Sequence, residues 1–131
     1  MIKLAIVSPC YNEEAVLLDA ASHMAAVFQD LIDKGKITTD SFLLYVNDGS
    51  EDNTWNIICQ LAKEYSFVKG VNLAHNAGHQ NAIMAGMMIA RHEADAVITM
   101  DCDLQDDVTA IEKMIDKHAL GADIVYGVKV D

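Results

Sequence analysis

The sequence predicts an α/β fold: a mainly parallel sheet of about five strands with helices on both faces. Two observations predict it. Apolar runs of strand length alternate strictly with segments whose apolar residues recur at helical spacing, and the first two runs carry few charges, as strands covered on both faces do. A third observation gives the fold its use. Tyr11, Asn12, Glu13, Asp48, His75, Asn76, Asp101 and Asp103 all stand directly behind such runs, so a parallel sheet gathers them along one edge, where ligands of open α/β folds bind.

The first strand is expected over residues 2 to 8, stopping at Pro9, with Asn12 capping the helix that follows and Glu13 and Glu14 in its positive first turn. Leu17, Ala20, Ala21, Met24, Phe28 and Leu31 carry that helix to about Asp33, and Gly35 ends it. A second strand spans Phe42 to Asn47 and closes in Asp48-Gly49-Ser50. Ser50 is then placed to cap a helix with Trp55, Ile58, Leu61, Ala62 and Tyr65 on one face. A third strand covers Phe67 to Leu73, and Asn76-Ala77-Gly78 turns the chain into a helix from His79 to Arg91, whose Ala, Met and Gly86 suit close packing. The fourth strand is Ala94 to Met100. A helix with Val108, Ile111, Met114, Ile115 and His118 on one face follows, and then a fifth strand from Asp123 to Val128. No linker or repeat interrupts the alternation, so residues 1–131 read as one domain.

With 131 residues, 52% of them hydrophobic, the chain can bury a real core. Its 20 acidic and 9 basic residues give a net charge of -11, which argues against nucleic acid as a partner and against docking on an anionic membrane surface. Cys10, Cys59 and Cys102 lack the spacing of zinc or disulfide frameworks, which points to reduced thiols and an intracellular setting. Cys10 and Cys102 end two strands and can meet in space. The first apolar run is too short for a signal peptide and the longest, Ala82 to Ala90, is too short to span a bilayer, so this stretch of chain is expected to be soluble.

The most informative stretch is Asp101-Cys102-Asp103 behind the fourth strand. Two carboxylates held close repel one another, and a hard divalent cation relieves that repulsion while keeping positions open for phosphate oxygens. The plain alternative is solvated loop carboxylates, common in so acidic a chain. Similarly, Asp48 also reads as a turn and cap residue, Glu13 as a first-turn acid, Tyr11 as cover for the sheet edge, and His75 and His79 as turn residues. A Walker loop and a Gly-x-Gly-x-x-Gly fingerprint are both absent, and no Ser or Cys nucleophile stands beside a histidine base. A phosphoaspartyl phosphatase would carry its Asp-x-Asp behind the first strand, not the fourth.

Taken together, Pro9-Cys10-Tyr11-Asn12-Glu13, Val46-Asn47-Asp48-Gly49-Ser50, Asn76-Ala77-Gly78 and Asp101-Cys102-Asp103-Leu104-Gln105-Asp106 resemble the inverting family 2 glycosyltransferases of GT-A fold. Gly78-His79-Gln80-Asn81-Ala82 and Asp123-Ile124-Val125-Tyr126-Gly127-Val128 are similar to the branch that transfers sugars to polyprenyl phosphate. The resemblance implies a Rossmann-like nucleotide-binding half in which Pro9, Tyr11, Asn12, Glu13, Asp48, His75, Asn76, Gly78, Asp101, Cys102, Asp103, Gln105 and Asp106 surround a UDP- or GDP-sugar. It gives Tyr11 a place against the base, Glu13 an acceptor role toward base or ribose, and Asp48 one toward a ring N–H. Asp101 would bind the ribose and, with Asp103, the Mg2+ or Mn2+ that bridges the diphosphate.

Two departures stand out. His75 occupies a position where family members often have Arg, and Asp107 one where Pro is common. Family domains also continue past a fifth strand into a segment that binds the acceptor and supplies the catalytic base, and the polyprenyl branch adds membrane helices. The base is therefore expected beyond Asp131, with the full-length protein at the cytoplasmic face of the membrane and a lipid phosphate as acceptor. These residues should bind donor but scarcely catalyse. The other reading is a nucleotide-sugar or metal-binding module without turnover. An open sheet edge would also favour a homo-oligomer.

Overall fold

The computed structural model describes residues 1–102 and 108–119. Four strands and four helices alternate: β1 (Leu4–Cys10), α1 (Leu17–Asp33), β2 (Phe42–Asp48), α2 (Thr54–Glu64), β3 (Val68–Leu73), α3 (His79–Ala90), β4 (Ala96–Thr99) and α4 (Val108–Ala119). The expected parallel α/β architecture is borne out. All strand pairs are parallel, and the order across the sheet is β3-β2-β1-β4. The expected fifth strand, Asp123 to Val128, lies outside the described residues.

Alternation along each strand decides which helix it meets. Leu4, Ile6 and Cys10 of β1, Leu43 and Tyr45 of β2, and Ala96 and Ile98 of β4 form one core with Leu17, Ala21, Met24, Phe28 and Leu31 of α1, Ile58 and Leu61 of α2, and Ile111 and Ile115 of α4. Ala5, Val7, Phe42, Leu44, Val46 and Val97 face the other way, onto Ala82 and Ala90 of α3. Gly86 lets α3 sit this close: a Cβ there would lie 2.4 Å from Val7 Cγ1 and 2.8 Å from Val46 Cγ2.

Several expectations are corrected. β1 does not stop at Pro9 but runs through it to Cys10, still paired with β2. Val7 offers its carbonyl to the Met100 amide, so by the two-residue period Pro9's nitrogen also faces β4, just past that strand's last paired residue, and no ladder bond is lost. Helix α1 starts at Leu17, a turn later than expected. Its N-cap is Val16, which makes no side-chain cap, and Asn12 instead adopts a left-handed φ of 52° and bonds elsewhere. Likewise Ser50 does not cap α2, whose N-cap is Asn53. Ala62 is exposed, while Trp55 and Tyr65 pack at the core edge as expected. The expected end of α1 holds: Gly35, at φ 70°, donates to Ile32 and Lys36 donates to Leu31, closing the last turn. Ile111 and Ile115 face the core, whereas the Val108 and His118 side chains lie outside the described residues.

Candidate active site

The C-terminal ends of the strands open into a cavity of about 390 Å³ lined by Pro9, Cys10, Tyr11, Glu13, Asp48, Asn76, His79, Asp101 and Cys102. Each strand sends residues to it. Pro9 and Cys10 end β1, Tyr11 and Glu13 follow it, Asp48 ends β2, Asn76 follows β3, and Asp101 and Cys102 follow β4.

Asp48 is a buried carboxylate held by the backbone. Only 4% exposed, it accepts from the Ala77 amide at 2.7 Å through Oδ1, which ties the end of β2 to the loop after β3. Gly49 makes that approach possible. Its φ of 69° suits glycine, and a Cβ there would lie 2.5 Å from the Asn76 nitrogen and 2.8 Å from the His75 carbonyl carbon. Beside it Asn47, also buried, donates to Asn72 Oδ1 at 2.8 Å and joins β2 to β3. Gly78 donates to Asn76 Oδ1 at 3.0 Å, so Asn76 shapes the turn that starts α3 as well as lining the cavity.

The loop after β1 is held from across the sheet edge. Asn12 donates its amide to Ser50 Oγ at 2.9 Å and accepts from the Glu51 amide at 2.8 Å through Oδ1. The Glu13 amide donates to Thr54 Oγ1 at 2.9 Å, and the Glu14 amide reaches Asp52 Oδ2 at 3.3 Å. Asp52 in turn accepts from the Thr54 amide at 2.9 Å and from its hydroxyl. Burial would push the Asp52 carboxyl up, but the bonds from Thr54 and Glu14 outweigh it and hold the group below its ordinary range. Tyr11, 44% exposed, stands at the rim of the cavity.

On the opposite side Asp101 is half-buried, and His79 Nε2 lies 3.8 Å from its Oδ1. His79 is the first residue of α3 and lines the cavity; His75, the histidine expected there, is exposed and does not. Below the cavity the two thiols do meet. Burial pushes the Cys10 thiol well up, and its contact with Cys102 and the nearby charge of Glu13 add to the rise, which favours the neutral thiol. Burial likewise raises the Tyr45 hydroxyl, which sits beside Ser8 in the β1–β2 register; neither hydroxyl has a hydrogen-bond partner among the described residues.

The structure thus brings together Pro9, Tyr11, Glu13, Asp48, Asn76, Asp101 and Cys102 of the expected set. Asn12 and Gly78 support the walls without lining the cavity, and Asp103, Gln105 and Asp106 lie outside the described residues. His75 and His79 flank the same turn, and it is His79 that lines the cavity. For Mg2+ or Mn2+ the described part of the site offers a hard oxygen donor of the right kind, Asp101, open to the cavity; among the described residues no three such groups cluster. No helix among the described residues is long and apolar enough to cross a membrane.

The chain is similar to known proteins in sequence and in fold. A glycosyltransferase of Bacillus subtilis named YkoT, itself uncharacterized, is 43% identical over 126 residues, covering 96% of this chain and 37% of that protein. The undecaprenyl-phosphate 4-deoxy-4-formamido-L-arabinose transferase of Shewanella sediminis is 39% identical over 127 residues, with 96% and 36% covered. The chain thus spans well under half of these relatives. Among solved structures, the mannosyltransferase PcManGT of Pyrobaculum calidifontis, in complex with GDP-Man and Mn2+, superposes with a TM-score of 0.65 at 17% identity, over 87% of this chain and 31% of that one. This likeness speaks for the fold alone. The family model for glycosyl transferase family 2 matches residues 5–131, and the chain belongs to that family.

Proposed function

We propose that the cavity holds the nucleoside diphosphate of a UDP- or GDP-sugar, and that the protein of which this chain is the donor-binding part transfers the sugar to a polyprenyl phosphate with inversion. The observation that carries the reading is the convergence of Tyr11, Glu13, Asp48 and Asp101, from the ends of three strands, on one cavity. A buried carboxylate requires donors for both oxygens. The Ala77 amide serves one oxygen of Asp48, and a ring N–H of uracil or guanine would serve the other. Tyr11 offers an exposed aromatic face on which a base can stack, and Glu13 accepts from base or ribose hydroxyls.

Asp101 and Asp103 are the proposed ligands of Mg2+ or Mn2+. Such an ion, when bound, offsets the negative charge that builds on the departing diphosphate. His79, 3.8 Å from Asp101, would add a ring N–H donor toward the diphosphate. The neighbour of the same fold was solved with GDP-Man and Mn2+, a donor and a metal of the proposed kinds, and the relative named for undecaprenyl phosphate supports the acceptor class. With its acceptor in the membrane, the whole protein would work at the membrane face. A module that binds the nucleotide without turnover is the competing reading.

Incubating the full-length protein with radiolabelled UDP- or GDP-sugars, undecaprenyl phosphate and Mn2+ separates the two. The expected result is label in the lipid phase with an inverted anomeric centre. Donor binding with no label in lipid for any sugar tried would favour the non-catalytic module.

A further inference from the structure

The loop that carries Tyr11 and Glu13 has little to hold it within its own helix. Val16 caps α1 without a side-chain bond, and of the loop's carbonyls Glu13 accepts from Val16 and Leu17. The amides of Asn12, Glu13 and Glu14 precede that first turn and would point to water unless another element met them. They are met one after another by Ser50 Oγ, Thr54 Oγ1 and Asp52 Oδ2, all from the segment that leads into α2. Thr54 is fully buried at the first position of α2, so its hydroxyl belongs to a rigid element. Asp52 fixes that hydroxyl by accepting its proton, which leaves the Thr54 oxygen lone pairs turned to the Glu13 amide.

We propose that Asp52 and Thr54 are positioning residues of the donor site: they hold the β1–α1 loop so that Glu13 and Tyr11 face the nucleotide. Neither lines the cavity. They act through backbone amides, and so does Asn12, whose left-handed conformation lets its amide reach Ser50 while its side chain accepts from Glu51. Ser50, Asp52 and Thr54 at alternate positions are one device, a set of side-chain acceptors presented by one loop to the consecutive amides of another. This rests on the reading of the cavity as a nucleotide site.

The test is nucleotide affinity at a temperature where circular dichroism shows each variant folded, together with amide exchange at residues 12–14. Thr54→Val keeps the shape and removes the acceptor; Thr54→Ser keeps the hydroxyl; Asp52→Ala frees it. Thr54→Val and Asp52→Ala are expected to weaken binding of UDP or GDP by about five- to ten-fold, roughly the worth of one hydrogen bond, and to speed exchange of the Glu13 amide. Thr54→Ser should restore both. The inference is overturned if Thr54→Val binds as the wild type does while the Glu13 amide exchanges faster, or if Thr54→Ser is as impaired as Thr54→Val. A wild-type chain that binds neither nucleotide, with or without Mn2+, overturns the nucleotide reading itself and this inference with it.

Discussion

Gly49 joins two parts of the cavity by having no side chain. Its backbone lies against Asn76, which brings Asp48 within reach of the Ala77 amide. Gly49→Ala would have to hold a left-handed φ, costing about 1–2 kcal/mol, and also push back a neighbouring backbone that has no rotamer to change. We expect a loss of at least about 2 kcal/mol in denaturant unfolding, and weaker nucleotide binding as Asp48 and Ala77 separate. An unchanged midpoint would mean that the two loops are not in contact. At this scale the sequence was legible where chemistry alone decides. Asp48, Glu13, Tyr11 and Asp101 are polar or amphipathic residues behind apolar strands, and a parallel sheet has only one place to put them. The two histidines were harder. His75 and His79 differ only in which side of the Asn76–Gly78 turn they occupy, and the turn's direction follows from a φ of 95° at Gly78 that no spacing rule reveals.

Helix α3 packs close against the sheet at Gly86. Gly86→Ala should gain about 1 kcal/mol in helix propensity, yet its methyl would overlap Val7 and Val46, two stiff β-branched side chains in the middle of the sheet. Overpacking of this kind costs about 1–3 kcal/mol, so the packing penalty wins and thermal unfolding should fall by several degrees. A variant as stable as the wild type would show that α3 can lift off the sheet freely. The helices and strands themselves were readable from the period of their apolar residues, because burial on one or both faces sets that period. Their starting points were not. Asn12 and Ser50 have the right chemistry for caps, but each bonds the other's loop, 38 residues away, rather than its own helix. Long-range partners compete with local caps, and sequence spacing records only the local option.

For the molecule as a whole, strand order does the organising. The chain winds outward from β1 through β2 to β3 on one side and places β4 on the other, so the direction reverses at β1, where open α/β sheets form their ligand crevice. Residues from the ends of all four strands, far apart along the chain, meet there. The most direct test of that arrangement as a donor site is calorimetric titration of UDP and of GDP into the chain, with and without Mn2+, beside Asp48→Ala, Asp101→Ala and Asp103→Ala. The account predicts that one nucleotide binds, more tightly with Mn2+, that Asp48→Ala weakens binding under both conditions, and that Asp101→Ala and Asp103→Ala abolish the gain from the metal. Binding of neither nucleotide, or binding that all three substitutions leave unchanged, would contradict it.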